Sequence, residues 1–278
     1  LLSNVMSMKK RWCCVLGLLM QSVTVSADIY LWVDDQGRRH YSDRPRQGAE
    51  VVDLRPGYSY YRVKHVFDGD TVQLMNGQKV RLLGINTPEV DGRYKSAEPG
   101  GNEAKRWLSA RLANKKIRLE TDVEKRDKYR RWLAHLFTEQ GQHLNLELVR
   151  RGLATVNIHP PNLRYSRQLL AAEAQAEKAG VGLWADPHYA RRSYQAARDT
   201  RGWQRVAGTV KEIKRTRKNI YLLFSADFAI KIARQNNDLF PESGVYLGRR
   251  LEVRGWIHHS GKRYTMPVRH PGSIKLLD

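Results

Sequence analysis

The stretch DGDTVQLMNGQKVRLLGINTPE, residues 68–89, sets two apolar-rich runs on either side of Asn76-Gly77. Asn-Gly between such runs is a strong hairpin signal, because a tight turn needs positive φ at its centre. A two-residue loop would put Met75 opposite Gln78 and Val72 opposite Arg81. Asp70 would then share a face with Arg81, one diagonal away, at about 7–8 Å between backbones. That spacing leaves room for a cation at the carboxylate and a phosphate at the guanidinium. Gly84 can introduce a bulge, so the register is argued only as far as Arg81.

Working outward, YRVKHVF precedes this hairpin, and IRLETDV and WLAHLF continue the strand-like pattern after it. Helical spacing appears at 103–113, where Ala104, Leu108 and Leu112 recur, and again at 144–151 and 165–179. The last two runs end at Gly152 and Gly180, where a left-handed cap is expected. Strands followed by helices predict an α+β domain over 58–188, with a curled sheet and helices against one side. Residues 189–200 are polar and Arg-rich and read as a linker or a joining helix. From 201 to 278, the runs VAGTVKEIKR, NIYLLFS, DFAIKIA, RRLEVRGWI and RYTMPV predict a small all-β barrel of the OB type.

The N-terminus reads as a targeting segment. Lys9, Lys10 and Arg11 precede an apolar run from Trp12 to Val25, followed by Ser26 and Ala27. The run is too short for the roughly 20 residues of a membrane helix, so 1–27 is expected to be a signal peptide cleaved after Ala27. Export to the periplasm or beyond follows, with no membrane span in the mature chain. Cys13 and Cys14 would leave with the signal, which excludes disulfides, zinc-thiolate sites and thiol nucleophiles. Residues 28–57 show one hairpin signal, in IYLWVDDQGRRHYSDRP. This run resembles a small domain of unknown function that opens many bacterial envelope proteins. It is read either as a hairpin packed on its neighbour or as a wall- or partner-binding unit.

The chain carries 49 Lys+Arg against 28 Asp+Glu, a formal net charge of +21, which favours a polyanionic partner. Residues 201–278 alone hold 16 Lys+Arg and 6 Asp+Glu. There Arg215, Arg217 and Lys218 accompany Tyr221 and Phe224, either as a single-strand-binding surface or as an ordinary basic barrel with an aromatic core. No HExxH pair, Gly-rich phosphate loop or nucleophile elbow occurs, so metalloprotease, NTPase and serine-hydrolase readings lack support.

Taken in order, DGDT, VRLLGINTPE, DKYRRWLA, LNLELVRRGLA and GLW resemble the staphylococcal nuclease (thermonuclease) family over about residues 60–186. The resemblance implies a five-stranded OB-like barrel with three helices, and calcium-dependent hydrolysis of DNA and RNA that leaves a 3'-phosphate. It assigns Asp70 and the Thr87 carbonyl to calcium, Glu89 to positioning and deprotonating water, and Arg81 and Arg131 to the phosphate. Three departures stand out. Asn86 replaces the family's second calcium carboxylate; its side-chain carbonyl can still coordinate calcium and is assigned to the metal with Asp70 and Thr87, but one negative charge is lost. Arg130 replaces the usual glycine beside Tyr129, a retained nucleic-acid contact, and either strengthens phosphate binding or distorts the turn. Ile158 and His159 stand where tyrosines are common. The leading expectation is an exported, monomeric nuclease. The alternatives are a catalytically weakened nucleic-acid-binding module and an envelope protein that grips anionic polymers.

Overall fold

The computed structural model describes residues 29–52, 59–92, 97–198, 200 and 202–277. The expected signal peptide and its cleavage point lie outside them. Among the described residues, no helix is long and apolar enough to cross a membrane. Contacts divide the chain into two units, Leu1–Gly57 and Tyr58–Asp278.

In the first unit, β1 (Ile29–Val33) and β2 (Arg39–Ser42) form the expected hairpin, with Trp32 opposite His40. Their rings stack at 5.2 Å, and Arg46 lies over the Trp32 ring. A third strand, β3 (Glu50–Val52), pairs on the other edge of β1. It carries no turn signal and is only three residues long, so sequence pattern did not reveal it.

The second unit opens with β4 (Tyr60–Val66), β5 (Thr71–Leu74), β6 (Lys79–Leu82), β7 (Ile85–Asn86), α1 (Gly101–Leu112), β8 (Lys116–Arg126), β9 (Trp132–Thr138), α2 (Leu144–Arg150), β10 (Thr155–Val156) and α3 (Ser166–Ala179). The first three strands close with the two long ones into a barrel ordered β4-β5-β6-β9-β8. Val72, Leu74, Val80, Leu82, Ile117 and Leu136 fill it, each no more than 1% exposed. Gly152 and Gly180 both take positive φ after their helices, as their spacing predicts.

The hairpin register differs from the expected one by a residue. Val72 faces Val80, and Thr71 faces Arg81. Gln78 accepts from the Leu74 N–H at 2.8 Å, and Gly77 sits at φ +83°, giving a three-residue loop with glycine in the left-handed position. Packing decides the matter: this register buries Val72 and Val80 together, whereas the two-residue loop would have set a buried valine against an arginine.

The chain continues through β11 (Arg192–Ser193), α4 (Tyr194–Ala197), β12 (Trp203–Thr209), β13 (Glu212–Arg215), β14 (Asn219–Leu223), β15 (Phe228–Ala233), β16 (Arg250–Trp256), β17 (His258–Ser260), β18 (Arg263–Val268) and β19 (Ile274–Leu276). Where one five-stranded barrel was expected, two sheets share a core, ordered β11-β12-β16-β19 and β13-β14-β15-β18-β17. The run VAGTVKEIKR breaks at Val210-Lys211, so its halves enter different sheets. Phe224 is fully buried in this core and offers no binding surface. Within 189–200, β11 pairs parallel with β12, and Ala197 is fully buried. The sheet bearing Arg205 and Arg254 packs against α3 through ion pairs to Glu173 and Glu177.

Candidate active site

Asp70 enters the barrel wall just before β5. Its backbone carbonyl accepts from the Leu82 N–H, and its own N–H donates to Asp68 at 2.9 Å. Its side chain is 5% exposed and accepts from the Thr87 N–H at 2.8 Å and the Thr71 hydroxyl at 3.1 Å. The Arg81 guanidinium lies 2.9 Å from the Asp70 carboxylate. The expected gap between the two, wide enough for a cation and a phosphate, is therefore closed by a direct ion pair. Burial pushes the Asp70 carboxyl up to about 6; Arg81 opposes this, and neighbouring Asp68 adds to it.

Arg81 is held in place by the carbonyls of Leu82 and Ile85, at 3.0 and 3.1 Å, and by Asn86 Oδ1 at 3.3 Å. Asn86 sits on β7, paired with Thr155. Its amide donates to the Thr87 carbonyl at 3.1 Å. Both oxygens assigned to calcium at this corner thus already accept a hydrogen bond, and an aspartate at 86 would not supply the second of these. Thr87 Oγ1 is buried without a hydrogen-bond partner. The next turn is clamped by reciprocal bonds, Glu89 N–H to Glu98 Oε2 at 3.0 Å and Glu98 N–H to the Glu89 carbonyl at 2.9 Å.

On the opposite wall, Asp127 organises the turn before β9. Its carboxylate accepts from the N–H groups of Tyr129 and Arg131 and from Arg131 Nε at 2.8 Å. Arg131 lies 5.5 Å over the exposed Tyr129 ring. Arg130 occupies φ +65°, a conformation that favours glycine, and is exposed. It adopts the glycine-like turn without entering the cleft.

Asp70, Arg81, Asn86, Thr87, Glu89, Tyr129 and Arg131 line one cavity of about 420 Å³, so of the eight residues expected at the calcium, phosphate and nucleic-acid contacts of the nuclease site Arg130 is the one left out. Asp68 and Lys79 line it too. Lys79 was legible in principle, since it lies two residues before Arg81 on the same strand. A second groove of about 600 Å³ shares Arg81, Tyr129 and Arg131 with the first and continues past Arg126, Lys128 and His159 to Arg269. His159 is exposed at the groove's surface, where partial desolvation, and then the cations of Arg269 and Arg81, lower its pKa.

The donors around Asp70 are all hard oxygens, the chemistry that calcium prefers. Asp68 and Asp70 crowd two carboxyls beside one arginine, and a cation would relieve the cost that raises the Asp70 pKa. Among the described residues, no three His, Cys, Asp or Glu side chains converge as a ready-made cage. A cation here would take much of its coordination shell from water.

The chain is similar to known proteins over part of its length. A family described as staphylococcal nuclease homologue matches residues 79–186, and a domain of unknown function, DUF4124, matches 16–60. The chain is 30% identical over 171 residues to a thermonuclease of Staphylococcus intermedius, covering 60% of this chain and 95% of that protein. It is 33% identical over 129 residues to the thermonuclease of Staphylococcus hyicus, covering 45% of this chain and 76% of that protein. It is 32% identical over 127 residues to endonuclease YncB of Bacillus subtilis, covering 44% of this chain and 60% of that protein.

Proposed function

The chain belongs to the staphylococcal nuclease family, and from that premise we propose that it is an exported, calcium-dependent nuclease that hydrolyses phosphodiester bonds of DNA or RNA and leaves a 3'-phosphate. The observation that carries this reading is the single cleft holding Arg81, Arg131, Glu89 and Asp70. In the proposed reaction Arg81 and Arg131 hold the scissile phosphate and orient it for in-line attack. Glu89 takes the proton of the attacking water, whose oxygen bonds to phosphorus as the bond to the 5'-oxygen breaks; that oxygen takes a proton from solvent water and leaves as the 5'-hydroxyl. Asp70 and the Thr87 carbonyl would hold calcium, which when bound offsets the charge developing on a phosphoryl oxygen. The positive charge of the chain favours the polyanionic substrate.

The test is hydrolysis of single-stranded DNA and RNA by the purified protein with calcium, with magnesium and with chelator. Cleavage with calcium that chelator abolishes, and that Glu89→Gln reduces steeply, supports the proposal. Full activity in chelator rejects the metal's part. One observation favours a second reading, a binding module of weakened activity: the Asn86 amide is bonded to the carbonyl that calcium would need. Binding of the same strands without cleavage under any of the three conditions would support that reading instead.

A further inference from the structure

The groove beside the cleft is built from two parts of the chain. Arg126, Lys128, Tyr129 and His159 come from the barrel and its loops, whereas Arg269 follows β18 in the C-terminal sheets. Arg269 is exposed and makes no ion pair among the described residues. Other arginines of the Tyr58–Asp278 unit are differently placed: Arg205 and Arg254 are sequestered by glutamates, and Arg131 is shared with Asp127. Arg269, Arg126 and Lys128 line the same groove as Arg81 and Arg131, where Glu124 and the Arg131-paired Asp127 are the acids, so a strand whose scissile phosphate sits between those two arginines has further cations within the groove. Successive phosphates repel one another, and an unpaired guanidinium along the track offsets that charge by releasing counterions.

We propose that Arg269 binds a backbone phosphate beyond the scissile one, so that the C-terminal sheets form part of the polynucleotide track and give the site its preference for chains over single linkages. The proposal rests on the nuclease reading for the strand's placement, but its binding half stands without cleavage. Packing within the second unit makes this contact reproducible: Arg254 bridges Glu173 and Glu177 of α3, which ties the C-terminal sheets to the part of the unit that carries the rest of the groove.

Deleting the C-terminal sheets would strip Glu173 and Glu177 of their arginines, so the test uses Arg269→Ala in the full chain, with Lys262→Ala as a control. Lys262 is an exposed cation of the same sheets and does not line the groove. Affinity for a fluorescein-labelled 12-nucleotide strand, measured in chelator across a salt series, should fall about three- to ten-fold in Arg269→Ala, with the slope of log K against log salt shallower by about one. Lys262→Ala should show a smaller loss. With calcium, cleavage of a dinucleoside monophosphate should be unchanged in Arg269→Ala, while kcat/KM on the 12-mer falls by the same factor as the affinity. An unchanged affinity and slope, or an equal loss in the control, overturns the proposal. So does an equal loss on the dinucleotide. If the parent binds strands and Arg269→Ala weakens binding, yet neither cleaves with calcium, the track stands and the nuclease reading falls.

Discussion

Two clusters of arginine and carboxylate lie in the Tyr58–Asp278 unit, and they are finished differently. At the junction of α3 with the C-terminal sheets, Arg254 reaches Glu173 at 2.8 Å, Glu177 at 2.6 Å and Glu252 at 2.8 Å, while Arg205 holds Glu252 at 3.0 Å and also Glu177. Both guanidiniums lie over the Trp184 ring. Glu252 is fully buried, yet the Arg205 hydrogen bond and the Arg254 charge outweigh burial and hold its pKa below the usual range. At the cleft, a single arginine faces Asp70 with Asp68 close by, and burial wins: the Asp70 pKa rises. Within the network itself, Glu173, reached by Arg254 alone, is pushed up by burial as Asp70 is, whereas Glu252 is reached by Arg191, Arg205 and Arg254, so what separates Glu252 from the other two is the number of cations per carboxylate. A cluster that is internally complete holds parts of the fold together; one left short of positive charge at the wall of a cavity is suited to a ligand that brings it.

The largest expected effect falls on the complete cluster. Arg254→Ala leaves Glu173 and Glu252 buried with fewer partners and should destabilise the protein by about 3–5 kcal/mol, as breaking a buried pair does. Chemical denaturation measures this, and kcat per folded molecule should stay near the parent's. A loss below about 1 kcal/mol would put this network in the same class as a surface pair.

Arg81→Ala should do the reverse. Removing a charged donor from the reacting phosphate should lower kcat by about 10²–10³-fold, while the chain still folds, because the barrel interior does not depend on the guanidinium. Circular dichroism and steady-state rates on the same preparation separate the two. If Arg81→Ala unfolds the protein as readily as Arg254→Ala, the distinction between a holding cluster and a working one collapses.

Much of this was legible before the structure. The hairpin signal at Asn76-Gly77, the glycine caps at Gly152 and Gly180 and the spacing of Ala104, Leu108 and Leu112 each have a local cause, and the barrel strands and helices follow from them. The register was missed by one because Asn-Gly serves both two- and three-residue loops, and only the burial of Val72 against Val80 separates them. The network between α3 and the C-terminal sheets leaves no local trace: Glu173 and Arg254 are 81 residues apart, and each would pass as a solvated charge. At position 86 the sequence marked the change of residue but could not show that the amide turns to the Thr87 carbonyl, because that depends on where β10 places Asn86.

A third place sharpens the rule that buried charge needs partners. His135 and His143 are 1% and 9% exposed and meet at 3.1 Å between ring nitrogens. Burial pushes their pKa values down from 6.5 to about 4 and about 3. The unfolded chain takes up both protons near pH 6.5 and the folded one does not, so stability is lost as pH falls from about 6.5 towards 4. Each histidine contributes up to about 1.4 kcal/mol per pH unit. His143→Phe, which keeps an aromatic ring beside Phe137, should flatten the fall in melting temperature over this window by about one proton's worth. An unchanged slope would mean that His143 is protonated in the folded state and has a partner.

The smallest effect bears most directly on the cleft. Asn86→Asp adds a carboxylate where the ligand charge is low and removes the N–H that now occupies the Thr87 carbonyl. Both changes favour a divalent ion, so the calcium concentration for half-maximal activity should fall several-fold, on the order of 1 kcal/mol of added attraction at a solvated site. The same substitution sets a third carboxylate in the cavity of Asp68 and Asp70, where Arg81 is the cation already paired to Asp70, so the metal-free protein should melt lower while added calcium restores the melting temperature by more than it does in the parent. Calcium titrations read by activity and by melting temperature check the two halves independently. A lower melting temperature without any gain in calcium response would show that the introduced carboxylate competes with Asp70 for Arg81 and deepens the cleft's shortage of positive charge without recruiting calcium; a stronger calcium response by both readouts would show that this shortage is what calcium fills.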